Sequence, residues 1–202
     1  MQKQWQDPEA VINILELAVN ANLEHLVIRF HAFPFQKNYG HVNVEAGRYQ
    51  AEASAIINSD GTLKTLGDPH LSIEVSRPTG PDVKFDGLRR DSDGTTYLIE
   101  RKFGHGPSAF NIEYDANGKV INVTDKAPSH NRVNKLADQL RAHIDAHDFL
   151  PSDVKGRVKI RWEIQTQAGA DAINFILKDN FPTKLNLVGI EHVPFIGPYI
   201  KP

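Results

Sequence analysis

The chain has 202 residues, 40% of them hydrophobic and 24% charged, with a net charge of −2. That length suits one domain with a sizeable core, and the charge excludes a global basic field, so any binding to nucleic acid would need a local patch. There is no cysteine, which excludes disulfides and thiolate chemistry; no apolar run is long enough to cross a bilayer, and the N-terminus lacks a signal-peptide pattern.

Asp7-Pro8-Glu9 reads as a helix start, with a capping Asp, a Pro in the first turn and an acid near the positive end of the dipole. Val11, Ile14, Leu15, Ala18 and Val19 continue it at helical spacing to about Asn22. His25–Phe33 reads as a strand and Pro34–Gly40 as a loop. Gly47–Ile57 fits a strand by alternation and a helix by its alanines. Thr62–Leu66 and Leu71–Ser76 read as strands, and Arg77–Pro81 as a Pro/Gly break.

The stretch from Asp82 to Phe103 then reads as a β-hairpin. Val83–Leu88 alternates apolar and polar residues, and Thr95–Phe103 is rich in β-branched and aromatic ones. Ser92-Asp93-Gly94 supplies the glycine of a tight turn. Pairing Asp91 with Thr95 sets Asp86 opposite Glu100. Alternation then gathers Asp86, Glu100 and Lys102 on one face, and Val83, Phe85, Ile99 and Phe103 on the other. Two carboxylates beside an ammonium are costly to assemble, and a hard divalent cation with oxygen ligands would be one reason for them; the plainer reading is a surface hairpin with a cross-strand Glu/Lys patch.

Asp115–Gly118 is a second hairpin-type turn, followed by a strand at Ile121–Val123. Asn131–Phe149 is a helix with an apolar stripe of Val133, Leu136, Ala137, Leu140 and Ile144. Arg132, Lys135, Gln139 and His143 form a polar stripe beside it. Val158–Ile164 alternates as a strand, with Val158, Ile160, Trp162 and Ile164 on one side. Gly169–Asp179 reads as the last helix and Leu185–Val193 as the last strand. The pattern is mixed α/β, a sheet meeting helices. It suggests a single domain over residues 1–202, with an N-terminal helical/strand extension (1–45) and a core at 46–193.

An Asp followed by Glu-x-Lys on adjacent strands, here Asp86 and Glu100-Arg101-Lys102, resembles the PD-(D/E)xK nucleases with their restriction-endonuclease-like fold. Tyr49-Gln50, Val83-Lys84-Phe85-Asp86-Gly87, Leu98-Ile99-Glu100-Arg101-Lys102 and Arg161-Trp162-Glu163 widen the match. Together they look like the restriction-endonuclease-type toxin domains of bacterial polymorphic toxins, the Tox-REase-5 group. Arg101 departs from that pattern, where a small residue is expected, and as a long cation near the metal it could tune the site or touch phosphate.

The resemblance implies a restriction-endonuclease-like mixed sheet flanked by helices. It implies Mg²⁺- or Mn²⁺-dependent hydrolysis of DNA. The metal ligands would be Asp86, Glu100 and the backbone carbonyl of Arg101, with Lys102 orienting the bound water or stabilising charge at the phosphate, and Gln139 positioning water or phosphate; the plainer reading of Gln139 is a solvent-facing residue on a surface helix. It further implies a toxin domain delivered as part of a larger secreted effector, acting in the target-cell cytoplasm and neutralised by a cognate immunity protein. Alternatives are an RNA-cleaving nuclease with the same site, and a catalytically silent protein-binding module of the same fold.

Other residues invite plainer readings. His143 and His147 are one helical turn apart and Asp148 follows, but no Glu sits beside the first His as in zinc proteases. A solvated helix edge is expected there, with a zinc hydrolase as the competing idea. His105 is close enough in sequence to Lys102 to serve as a proton donor, or to be a loop residue with no role. Arg89, Arg90, Arg101, Lys102, Lys126, Arg132, Lys135, Arg157, Lys159 and Arg161 could form a phosphate-binding face or scatter over several surfaces.

Overall fold

A computed structural model of the chain describes residues 26–31, 56–57, 63–64, 70–75, 77, 79–90, 95–104, 109–150 and 152–194. The helix expected from Asp7, the loop at 34–40, most of the ambiguous 47–57 stretch, Tyr49, Gln50, the 92–94 turn and His105 lie outside these residues.

The centre is a four-stranded sheet in the order β11 (Val188–His192), β10 (Val158–Ile164), β7 (Thr96–Lys102), β6 (Gly87–Arg90). β11, β10 and β7 run parallel and β6 is antiparallel to β7. Parallel neighbours require crossover connections. Between β7 and β10 the crossover contains the hairpin of β8 (Phe110–Tyr114) and β9 (Val120–Asp125), then helices α1 (Arg132–Asp148) and α2 (Ser152–Lys155). Between β10 and β11 it contains α3 (Gln167–Asn180). A second, antiparallel sheet joins β1 (Leu26–His31), β4 (His70–Val75) and β5 (Val83–Phe85), and the short strands β2 (Ile56–Ile57) and β3 (Leu63–Lys64) pair separately.

The expected strand at Val83–Leu88 is therefore two strands, β5 and β6, in two different sheets. The break falls at Asp86. Its N–H still donates to the Ile99 carbonyl (2.8 Å), but its carboxylate Oδ2 accepts the Arg101 N–H (2.8 Å), taking the place of a backbone ladder partner. The bend also reverses the expected facing. Phe85 joins Leu98 in the core instead of lying with Ile99.

One face of the main sheet packs against α1 and α3. Val158, Ile160, Trp162 and Ile164 of β10 enter this core with Leu98 of β7, Leu136, Leu140 and Ile144 of α1, and Ile173 and Ile176 of α3. The periodicity of each segment dictates this: strand residues at spacing two meet helix residues at spacing three and four. Two caps fix the helices. Asp125 at the end of β9 accepts the N–H groups of Arg132 (2.8 Å) and Val133 (3.3 Å), satisfying first-turn donors of α1 from outside the helix. Thr166 Oγ1 accepts the Gly169 N–H (3.1 Å) at the start of α3. In the β8–β9 turn Gly118 sits at φ 75°, a left-handed conformation that suits glycine.

Candidate active site

The site lies where the end of β7 meets α1. Glu100 and Lys102 are two apart on β7 and project from the helix-facing side, as Leu98 does. Gln139 and His143 are one helical turn apart on α1 and face them. The polar stripe expected on this helix runs inward: Lys135 is exposed, Gln139 half-buried and His143 buried.

Glu100 is the hub. Its Oε1 accepts hydrogen bonds from Lys102 Nζ and from Gln139 Nε2 (2.8 Å). Its Oε2 lies 4.0 Å from His143 Nε2 and takes no hydrogen bond from a described residue. The side chains of Glu100 and Lys102 are only 6% and 14% exposed, so water screens the pair weakly. Lys102 Nζ also sits 5.3 Å from the centre of the Trp162 ring, on the face that attracts cations.

Asp86 reaches the same strand from the bend between β5 and β6. Its bond to the Arg101 N–H sets it beside the residue that follows Glu100. A strand residue turns its N–H and C=O to the same edge, so the Arg101 carbonyl looks toward the Asp86 side as well. Two carboxylates and a carbonyl are hard oxygen donors of the kind Mg²⁺ or Mn²⁺ takes, and few carboxylates are needed because Mg²⁺ keeps much of its water. The Glu100 oxygen without a hydrogen-bond donor among the described residues is where the donor set fits a cation. Among the described residues no group of three or more His, Asp or Glu converges to hold an ion; the expected set has two acids and does not require a third.

The Arg101 side chain does not lie on the Glu100 side of the strand, contrary to one expectation. It points to the opposite face of the sheet, where its Nε and Nη2 lie 2.6 Å from Glu163 Oε2. Register explains this, because Arg101 and Glu163 are direct neighbours on the parallel strands β7 and β10. Both are buried. Arg161 lies on the same face, its guanidinium 3.7 Å from the Tyr97 ring centre and its Nε 3.0 Å from Glu191 Oε1. The expected basic face thus loses Arg101 to a buried pair and Arg161 to the same far side of the sheet, and Lys102 is engaged by Glu100. Lys126, Lys135, Arg157 and Lys159 are exposed and Arg132 is half-buried.

The histidines are not a solvated helix edge. His143 and His147 are 1% and 3% exposed. His143 Nδ1 accepts the Trp162 indole N–H (3.0 Å), and its ring stacks at a tilt on Phe85, centroids 4.3 Å apart. Burial above all holds its pKa at about 4; the nearby Glu100 charge pulls up and Lys102 pulls down. His147 Nε2 donates to the Val158 carbonyl (2.8 Å) and burial likewise lowers its pKa. Each ring therefore spends one nitrogen on a different core partner, and the remaining nitrogens face Glu100 and Asp148 respectively. This arrangement does not form the zinc pair that their spacing allowed. Burial pushes the Asp148 carboxyl upward, but the Lys184 ammonium at 2.6 Å, with His147 and Lys155, outweighs it and leaves the pKa lowered.

Comparison of the chain with protein-family models, with curated proteins and with solved structures finds no match.

Proposed function

We propose that the chain is a metal-dependent nuclease of restriction-endonuclease-like fold that hydrolyses DNA phosphodiester bonds. The observation that carries the reading is the division of labour on Glu100. One oxygen is held by Lys102 and Gln139, and the other takes no hydrogen bond from a described residue. With Asp86, at the bend between β5 and β6, accepting the Arg101 N–H, this gives an Asp…Glu-x-Lys constellation along β7.

Asp86, Glu100 and the Arg101 carbonyl would hold the cation. When bound, such an ion polarises a phosphoryl oxygen and lowers the pKa of a bound water. Lys102 is a compact ammonium, kept close by Glu100, that stabilises negative charge growing on the attacked phosphate. Gln139 donates to Glu100 through its amide nitrogen, which turns its amide oxygen away from the carboxylate and toward a water or hydroxyl donor. The exposed Lys126, Lys135, Arg157 and Lys159 would supply sequence-independent contacts to the DNA backbone.

A toxin role, with delivery inside a larger effector and silencing by an immunity protein, is supported by the sequence resemblance alone. The test is to incubate the purified chain with supercoiled plasmid and with RNA, each with Mg²⁺ or with EDTA. Mg²⁺-dependent loss of the plasmid is expected. Loss of RNA alone would make it a ribonuclease, and loss of neither would leave a protein-binding module.

A further inference from the structure

We infer that His143 is a positioning residue, its ring tautomer fixed by Trp162 so that the Nε2 proton is presented to Glu100 Oε2. The inference rests on the reading of Glu100 as a cation ligand.

The tautomer follows from donor and acceptor counting. An indole N–H can only donate, so the His143 Nδ1 that receives it at 3.0 Å carries a lone pair. A neutral imidazole with Nδ1 as acceptor has its proton on Nε2. That nitrogen is the one facing Glu100 Oε2. At 4.0 Å the contact is too long for a hydrogen bond. It acts instead as an oriented N–H dipole in a site with little water, biasing the one Glu100 oxygen that neither Lys102 nor Gln139 holds. Apo contacts of this kind often shorten when the site fills.

The ring is braced from two sides. Phe85, which immediately precedes Asp86, stacks on it at 4.3 Å, and Trp162 meets it edge-on with centroids 5.3 Å apart. His143 thus touches the chain beside one carboxylate and faces the other. His147, one turn along the same helix, makes the useful contrast. It is as buried, but its proton goes to a backbone carbonyl and it faces neither site carboxylate.

The competing role for His143 is to satisfy the buried Trp162 N–H and no more. The two roles separate by substitution. In His143→Asn the amide oxygen can replace Nδ1 as acceptor, but the side chain is too short to present a donor to Glu100. In His143→Gln the longer amide can reach toward Glu100. Trp162→Phe keeps the ring and deletes the donor that fixes the tautomer.

The experiment has two readouts. In the metal-free protein, long-range ¹H–¹⁵N correlation of the His143 ring reports which nitrogen is protonated. The expected result is Nε2 in the wild type and a mixture in Trp162→Phe. Calorimetric titration with Mn²⁺ should then show binding weakened about 10- to 100-fold in His143→Asn, the range typical of residues that orient metal ligands, and only a few-fold in His143→Gln. A wild-type proton on Nδ1 would overturn the inference whatever the variants do. So would His143→Asn and Trp162→Phe binding Mn²⁺ as the wild type does, while leaving the cation site itself standing. Absence of Mn²⁺ binding by the wild type would remove both the site and the positioning role.

Discussion

The two faces of β7 carry adjacent charged residues with opposite fates. On the helix side, Glu100 shares one oxygen between two donors and keeps the other without one among the described residues. On the far side, Arg101 closes on Glu163 with two nitrogens at 2.6 Å, and both are buried. The second arrangement is complete: a buried ion pair that would be strongly destabilising to break and of little use to a ligand. The first is incomplete in a way that suits a cation. Burial of charge by itself therefore does not mark a functional site. What separates these two arrangements is that Arg101 and Glu163 close on each other, whereas Glu100 keeps one carboxylate oxygen without a donor among the described residues.

The largest expected effects separate the faces by assay. Glu100→Gln and Asp86→Asn should each abolish metal-dependent cleavage while the protein stays folded, as circular dichroism and plasmid digestion will show together. Asn is the better choice at Asp86, because Ala would strand the Arg101 N–H that Oδ2 now accepts, a cost of about 1–3 kcal/mol. Glu163→Ala should instead lower stability by roughly 3–5 kcal/mol by leaving Arg101 buried and unpaired, read as a shift of the urea unfolding midpoint. Retained stability in Glu163→Ala would erase the contrast from one side, and full cleavage by Glu100→Gln from the other.

A sharper test within the helix side is Lys102. Lys102→Ala and Lys102→Arg should both lose about 10²–10³ in rate, the scale for removing one electrostatic donor. Mn²⁺ affinity should persist, because an ammonium offers no lone pair to a metal. Loss of Mn²⁺ binding in Lys102→Ala would mean that the lysine holds Glu100 in place and does not act on the phosphate.

Acid should weaken the metal-free protein through His143. Its folded pKa is about 4 against an ordinary value near 6.5. Between these values the unfolded chain binds a proton that the native state does not, so stability is complete above about pH 6.5 and falls as pH drops toward 4. One group with that difference contributes on the order of 3 kcal/mol. Urea unfolding in EDTA at several pH values measures it, and His143→Gln should reduce the dependence, leaving the part that the lowered pKa values of His147 and Asp148 contribute. The smallest effect belongs to Gln139→Ala. It removes one hydrogen bond to Glu100 and should change stability by about 1 kcal/mol or less, with a modest fall in rate.

Much of this arrangement was legible in the sequence where local pattern governs. The register expected for the hairpin is the one in which Arg90 pairs with Thr96 and Gly87 with Ile99. The strand at Val158–Ile164 and the helix within Asn131–Phe149 follow their periodicity closely. Other features depend on partners far along the chain. The bend at Asp86 exists because a carboxylate accepts an N–H fifteen residues away, which alternation cannot register. Arg101 is drawn away from the site by Glu163, sixty-two residues on, once β10 aligns beside β7. Arg161 and Glu163 alternate with apolar residues as solvent-facing ones would, yet both are buried. His143 and His147 looked solvated because a polar stripe on a helix does not reveal that its lower half meets a sheet. A buried tryptophan N–H and a strand carbonyl needing partners would have been the signal, and neither is visible until β10 is placed against α1.

The most direct measurement compares the two faces in one cleavage assay. A doubly substituted chain, Arg101→Met with Glu163→Leu, replaces the closed pair by apolar side chains, an exchange that buried ion pairs often tolerate. It leaves the Arg101 backbone carbonyl in place. Glu100→Gln alters a single atom one residue away. With Mg²⁺ and supercoiled plasmid, the double variant should fold and cut at close to the wild-type rate, whereas Glu100→Gln should fold and leave the plasmid intact. Cleavage by Glu100→Gln at the wild-type rate, or plasmid left intact by the wild type itself, would contradict the assignment of the catalytic face.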